Sequence, residues 1–176
     1  NLSDCHLGPT STAELAKVFS DATAAVNSLT VSGNPLTGAT RNDYGQWINI
    51  DSEMSGFVAL CAILGKLTEV NLSDCHLGPT STGELAKVFS DADAVLTSLT
   101  VDSTGVMTDR RGHYGKGTQK TYTLTVGDTT IDMSQKNLGP ADVTLLTMWI
   151  QRPEVSAVIN SLSLGSNPIG DEARIQ

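Results

Sequence analysis

The sequence predicts an α/β protein built as a curved repeat array, with a parallel sheet on the inner side and helices on the outer side. Three observations lead to this prediction. Residues 1–12 recur unchanged as residues 71–82, at an offset of 70 positions. Short segments of alternating apolar residues recur along the chain, and amphipathic helical patterns follow several of them. We therefore interpret residues 1–176 as one domain of about seven strand units.

The strand units share the pattern apolar-x-apolar-x-x-Asn/Cys-x-apolar. It is clearest at residues 29–36, 70–77 and 162–169, and weaker copies start at Ile48, Leu99 and Ile131. Alternating apolar residues predict a short strand with one buried face. The residue at the Asn/Cys position is expected to turn inward, where its polar atom can satisfy backbone groups of the turn. Cys5 and Cys75 hold this position, so we expect both to be small buried residues.

The helices are predicted from apolar residues spaced at i, i+3 and i+4. Four such stripes are Leu15, Val18 and Phe19; Phe57, Leu60, Cys61 and Leu64; Leu85, Val88 and Phe89; and Leu145, Met148 and Trp149. Ser11 with Glu14, and Ser81 with Glu84, have the spacing of a capping box. Each regular unit therefore reads as strand, turn, helix and return.

This unit resembles the leucine-rich repeat family. The units at residues 2–31 and 72–101, 29 residues in strand-to-strand spacing, look like the ribonuclease-inhibitor and NOD-like-receptor subclass. The resemblance covers nearly the whole chain. It implies a horseshoe-shaped solenoid and a protein-binding role, the second by analogy from the fold.

Two units depart from the regular length. The unit at residues 31–50 is short, and its helix is expected to be lost. In the second large copy, Ile131 corresponds to Ile48 at an offset of 83, so this copy carries about 13 extra residues. Residues 120–126 and 129–133, on either side of Gly127 and Asp128, predict a β-hairpin with a two-residue turn. We therefore expect an inserted hairpin or loop near residues 107–129.

Composition limits the function classes. The chain has 11 Lys and Arg against 19 Asp and Glu, a net charge of −8, which disfavours binding to nucleic acid. The longest strongly apolar stretch, residues 56–67, is too short to span a membrane, and we see no signal peptide. Cys5 and Cys75 are expected three strands apart, about 14 Å at the usual spacing, too far for a disulfide or a shared zinc ion. Free cysteines favour a cytoplasmic location.

Catalytic and cofactor sites are not predicted. Asp4, Cys5 and His6, with their copies at residues 74–76, place a thiol beside an imidazole, but neighbours leaving a strand project in different directions. The favoured interpretation is a buried cysteine beside an exposed histidine. The loop at residues 112–118 lacks the ending of a phosphate-binding loop. The four Lys and Arg residues within residues 109–120 read as a solvated loop, with a patch for an acidic partner as the alternative.

Two glycosylation sequons, at Asn1 and Asn71, lie on predicted strands of the sheet, where we do not expect modification. The inner, concave face of the sheet is instead the predicted binding site. The candidate residues on that face, from the strand alternation, are Trp47, Asn49, Asp51, Glu69, Asn71, Ser73, Thr100, Asp102 and Asp132. An alternative for Trp47 is packing under the short loop.

The sequence therefore predicts a non-enzymatic scaffold that binds a protein partner on its concave face, without a cofactor. The alternative is a repeat fragment of a larger receptor or regulator, because neither end of the chain shows a polar cap. Uncapped ends would expose apolar residues and a sheet edge, so self-association through the ends is expected.

Overall fold

The computed structural model describes residues 1–21, 26–90, 93–105, 107–108, 114–115 and 119–170. Its helices are α1 (Pro9–Asp21), α2 (Ser55–Leu64), α3 (Pro79–Lys87), α4 (Pro140–Ile150) and α5 (Pro153–Ser156). Its strands are β1 (Ser28–Thr30), β2 (Thr40–Arg41), β3 (Trp47–Ile48), β4 (Glu69–Asn71), β5 (Ser98–Asp102), β6 (Met107–Thr108), β7 (Tyr114–Gly115), β8 (Thr121–Thr125), β9 (Thr130–Asp132) and β10 (Ser161–Ser163). This mixture agrees with the predicted α/β class.

The main sheet has the strand order β1-β4-β5-β8. β1, β4 and β5 are parallel, with Leu29 opposite Val70 and Val70 opposite Leu99. Residues 2–4 extend this ladder, because the Leu2 and Asp4 amides donate to the carbonyls of Thr30 and Ser32. β9 and β10 form a separate parallel pair. The helices pack in chain order, α1 on α2, α2 on α3 and α3 on α4, against one continuous apolar core.

The prediction that residues 120–126 and 129–133 pair with each other as a hairpin is wrong. Residues 121–125 do form a strand, β8, but it pairs antiparallel with β5, with Thr100 opposite Thr123. β8 therefore occupies the edge of β5 that the next parallel strand was expected to take. The expected insertion near residues 107–129 contains a different antiparallel pair, β6 with β7.

The strand predicted at Ile48 does not join the main sheet either. β3 pairs antiparallel with β2, with Thr40 opposite Ile48, and β1 pairs directly with β4. Hairpin β2–β3 lies in the short unit at residues 31–50, in the place that a helix has in a regular unit. One consequence concerns Cys5 and Cys75, whose strands are two spacings apart, about 10 Å, rather than three.

The turn after the strand unit is a repeated backbone conformation. Asp4 and His6 have φ values of 54° and 55°, and their copies Asp74 and His76 have 55° and 52°. The same pair of left-handed residues recurs at 49 and 51 and at 135 and 137. The structural offset between these last two turns is thus 86 rather than 83, so more of the insertion precedes the turn than the sequence alignment indicated.

Inward-turning side chains satisfy the backbone of these turns. Asn34 donates from Nδ2 to the carbonyls of Leu2 and Val31, both at 2.8 Å, and accepts from the Leu7 amide at 2.8 Å. Asn167 repeats this arrangement on Met133, Leu164 and Leu138. Cys75 is fully buried and donates to the Val31 carbonyl at 3.2 Å, as predicted. The expectation for Cys5 is wrong, since it lies exposed in the first unit of the chain.

The helices begin earlier than the expected capping boxes. α1 and α3 start at Pro9 and Pro79, which place Ser11 and Ser81 inside the first turn. Ser81 Oγ accepts from the Gly78 amide at 2.9 Å, and Glu84 pairs with Lys87 instead of the helix start. A proline at the first helical position fits because it has no amide hydrogen to leave unpaired there. The predicted pairing of Ser81 with Glu84 is therefore wrong, because Gly78 is the N-cap of α3 and Ser81, at the third helical position, closes its capping box. In α1, Glu14 likewise pairs with Lys17.

The apolar stripes face the core with one exception. Phe57, Leu85, Phe89 and Trp149 are all buried. Val18 is 64% exposed, although its copy Val88 is buried.

Replacing Asn34 with Ala should lower the free energy of unfolding by about 3 kcal/mol, because several buried backbone groups lose partners worth about 1 kcal/mol each. The matched control is Asn167→Ala, which removes the same bonds from a half-buried site and should cost less. Urea unfolding monitored by circular dichroism measures both. Equal costs would contradict burial as the source of the effect.

Candidate functional site

A cleft of about 800 Å³ opens at the carboxyl ends of β4 and β5. Hairpin β2–β3 forms one wall, and the start of β8 with the first residues of α3 forms the other. We call this the edge cleft and define it by Trp47, Asp51, Asp74, His76, Asp102 and Thr121. Both irregular units therefore contribute to one site, which the sequence did not predict.

Trp47 holds the hairpin against the end of the β4 unit. Its indole stacks on the imidazole of His76, with ring centroids 3.6 Å apart, and the guanidinium of Arg41 lies 4.7 Å from the indole ring. Trp47 therefore packs on the turn after β4 and is half-buried at the wall of the cleft. His76 is only 7% exposed as a result. The expected exposed histidine is therefore wrong for His76, while its copy His6 is exposed.

Asp51 has a structural task at the start of α3. Its Oδ1 accepts from the Gly78 amide at 3.1 Å, and its Oδ2 accepts from the amides of Thr80 and Ser81 at 2.9 and 3.1 Å. A carboxylate in this position satisfies free amides and interacts favourably with the helix dipole. Gly78 permits the approach, because a Cβ there would lie 2.5 Å from Oδ2.

Asp102 is also committed to internal bonds. It is 6% exposed, accepts from the Asp74 amide at 2.5 Å through Oδ2, and accepts from the Thr121 hydroxyl at 2.6 Å through Oδ1. It fixes the start of β8 to the end of β5. The prediction of an exposed sheet face is therefore wrong for four residues. Trp47, Asn49 and Asp51 lie in hairpin β2–β3 and the turn after it, outside the main sheet, and Asp102 is buried.

Asp142 is a buried hub that sequence reasoning missed. Its Oδ2 accepts from the Thr104 amide, the Thr104 hydroxyl and the Gly139 amide at 2.7–2.8 Å. Its Oδ1 accepts from the Tyr122 hydroxyl at 2.9 Å. One carboxylate thus joins the ends of β5, β8 and α4. Burial, followed by the charge of Asp142, raises the pKa of Tyr122 well above its ordinary value. One sequence signal could have identified this role: when the Leu-Gly-Pro segment at 138–140 is aligned with that at 77–79, Asp142 stands where the earlier unit has Ser81.

Some of the residues predicted for one face of the sheet lie side by side on the parallel strands. Cross-strand pairing brings together Thr30, Asn71 and Thr100 in one row, and β8 adds Thr123, whose hydroxyl bonds that of Thr100 at 2.8 Å. Glu69 is exposed, while Asn71, Ser73 and Thr100 are half-buried. Asn71 Oδ1 accepts from the amide and hydroxyl of Ser73. Asp132 is exposed on β9, in the separate strand pair.

Nucleophilic chemistry is disfavoured at Cys75. Its thiol points to the Val31 carbonyl, and burial raises the pKa of the Cys75 thiol to about 12. His76 stacks on Trp47, so it does not serve the thiol as a base. Within the described residues, no group of three His, Cys, Asp or Glu side chains could hold a metal ion. Apart from β7, the loop at residues 112–118 lies outside the described residues, and so does most of the basic run at residues 109–120.

Two segments of the chain, residues 66–81 and 155–175, match a family model described as leucine-rich repeat. The first match contains β4 and the start of α3, and the second contains β10. Together with the mixed α/β content, they support a leucine-rich repeat family for this chain. That family is generally non-enzymatic, and its repeats commonly mediate protein–protein interaction. Comparison with curated proteins gives no match. None of the described helices is long and apolar enough to cross a membrane.

Protonation of His76 should destabilise the fold. Burial, and then the nearby charge of Arg41, lower the pKa of His76 despite the opposing effects of Asp74 and Asp102. The unfolded chain therefore binds a proton more readily, and stability should fall as the pH drops below about 6.5. Urea unfolding between neutral and mildly acidic pH should show a smaller loss for His76→Gln than for the wild type. The matched control, His6→Gln in the identical segment, should keep the wild-type profile. A profile unchanged by His76→Gln would contradict the stacked, buried histidine.

Removing the hydroxyl of Tyr122 should cost about 1–3 kcal/mol of unfolding free energy, because Asp142 Oδ1 loses its buried donor. The variant is Tyr122→Phe, and Tyr44→Phe is the control at a side chain that is 85% exposed. Stability should also fall above about pH 10 in the wild type, where the unfolded chain releases the Tyr122 proton first. Tyr122→Phe should reduce that alkaline loss, and equal losses in both proteins would refute the buried bond.

Proposed function

We propose that this chain is a recognition scaffold of the leucine-rich repeat kind, which binds a protein partner through the edge cleft and the polar face beside it. The observation that carries the proposal is the cleft itself, about 800 Å³ in volume and lined on one side by hairpin β2–β3 and on the other by the start of β8 and of α3. Segments added to a repeat array on one edge are a common way to create a binding surface.

The charge of the site favours a basic partner segment. Asp74 projects into the cleft with its side chain 76% exposed, and Glu69 is exposed on the adjoining face. Among the described residues that line or flank the cleft, Arg41 is an opposing cation, but it lies over Trp47 at the wall. The chain as a whole carries a net charge of −8. A Lys- or Arg-rich segment would therefore be steered toward the cleft.

Tyr44 supplies an aromatic anchor for such a partner. It is 85% exposed at the end of hairpin β2–β3, where Asn42 Oδ1 fixes the turn by accepting from the amides of Tyr44 and Gln46. Exposed aromatic side chains on fixed backbone are typical binding anchors. We place the partner across Tyr44, the cleft and the row of Asn71 and Thr100.

Peptides selected from a displayed random library on the wild-type protein should be rich in Lys and Arg. The decisive variant is Asp74→Asn, which keeps the left-handed backbone preference but removes one charge. It should weaken peptide binding about threefold at low salt and less at high salt. The matched control is Asp4→Asn, the same replacement in the identical segment outside the cleft. Titration calorimetry measures both, and equal affinities for the two variants would reject the cleft as the site.

We also propose that the chain belongs to the ribonuclease-inhibitor or NOD-like-receptor subclass and has a curved solenoid shape. The spacing of 29 residues at 2–31 and 72–101 supports both proposals. The free thiols of half-buried Cys61 and buried Cys75 support a reducing, cytoplasmic setting. A repeat segment of a larger receptor or regulator is the second candidate, favoured by the apolar side chains Val18, Leu162 and Ile169 exposed on the outermost units.

A further inference from the structure

The outermost units of the described chain present two surfaces whose counterparts already meet inside it. Residues 162–169, in and after β10, repeat the pattern of residues 29–36, in and after β1. Residues 1–12 are identical to residues 71–82, which contain β4 and its turn. Within the chain, β1 pairs with β4. The pair β1–β4 is therefore a template for the contact between β10 and residues 1–7.

The template contact has a defined register. Thr30 lies opposite Asn71, the Val31 amide donates to the Asn71 carbonyl at 3.1 Å, and the Gly33 amide donates to the Ser73 carbonyl at 3.0 Å. The thiol of Cys75 completes it on the Val31 carbonyl.

Both outer surfaces already have the backbone of the template. Ser166 has a φ of 59° where Gly33 has 71°, and Asn167 makes the same carbonyl bonds as Asn34. At the other end, Asp4 and His6 have the left-handed conformation of Asp74 and His76. The turns of both surfaces therefore already have the backbone conformation that this register uses.

The side chains that the template covers are the ones these surfaces expose. Leu29 is 3% exposed beside β4, whereas its counterpart Leu162 is 43% exposed. Leu36 is fully buried, whereas Ile169 is 37% exposed. Likewise Cys75 is buried and Cys5 is exposed. Three residues that are buried in the template therefore have exposed counterparts on these two surfaces.

We propose that a second copy of this chain docks head to tail, with β10 of one molecule parallel to residues 1–3 of the next. Ser163 lies opposite Asn1, and the Leu164 amide donates to the Asn1 carbonyl. The Ser166 amide donates to the Ser3 carbonyl, and the Cys5 thiol donates to the Leu164 carbonyl. Because the two surfaces differ, the contact is heterologous and produces open chains or rings rather than a closed symmetric dimer.

Directed disulfide formation tests the register. In a Cys5→Ser background, one protein carries Asn1→Cys and the other carries Ser163→Cys. Directly opposed residues of adjacent strands lie about 5 Å apart, within disulfide range. Mixing the two under oxidised glutathione should give a covalent dimer. The matched control replaces the second protein with Ser161→Cys, which is out of register by two residues and should cross-link much less. Equal cross-linking with both partners, or none with either, overturns the proposed register.

Sedimentation velocity of the unmodified 176-residue chain tests the association itself. The wild type should show species that grow with concentration, and Leu162→Lys should remain monomeric. Val58→Lys is the control, because Val58 is 45% exposed on α2 and belongs to neither surface, and it should associate like the wild type. A monomeric wild type at its highest soluble concentration overturns the proposal. Association of the Leu162→Lys variant at the wild-type level also overturns the proposal.

Discussion

The constraint on which the structure depends is the turn that ends each strand unit. Left-handed residues bend the chain out of the sheet at these turns: Gly33 before Asn34, Ser166 before Asn167, and Asp74 with His76 around Cys75. The bend leaves buried carbonyls without partners in the sheet. Asn34, Cys75 and Asn167 supply the missing donors. Asn34 also bonds the preceding strand, through the Leu2 carbonyl, so a single side chain fixes both its own turn and the distance to its neighbour. Stacking of units therefore follows from satisfying the turn.

Identical segments acquire different physical properties in the two copies because their neighbours differ. In the first copy, Cys5 and His6 face no covering unit among the described residues and are exposed. In the second, β1 covers Cys75 and Trp47 covers His76. The raised pKa of Cys75 and the lowered pKa of His76 arise from this cover. The sequence of the segment cannot predict either shift, because burial is a property of the contact between units.

The parts of the fold that could be predicted are those with local periodicity. The strands around Leu29, Val70 and Leu99 and the stripes on α2, α3 and α4 follow from patterns that span fewer than about ten residues. Strand partners did not follow, because residues 121–125 alternate equally well for pairing with β9 or with β5. The placement of Asp51 failed for a related reason: its carboxylate caps a helix 27–30 residues later in the sequence. Such contacts depend on the position of hairpin β2–β3 in the folded chain.

Pairing of β8 with β5 requires a way to hold a strand that interrupts the parallel order, and Asp142 provides it. At the same position in α3, the Ser81 hydroxyl bonds the Gly78 amide and carbonyl of its own helix start. A carboxylate has more acceptor capacity, so Asp142 can serve the Gly139 amide and still bind Thr104 and Tyr122. A buried charge is tolerated only when it is bonded this fully. The exchange of serine for aspartate at one helix start therefore accompanies the change from a regular repeat to one that carries an inserted strand and, with it, one wall of the cleft.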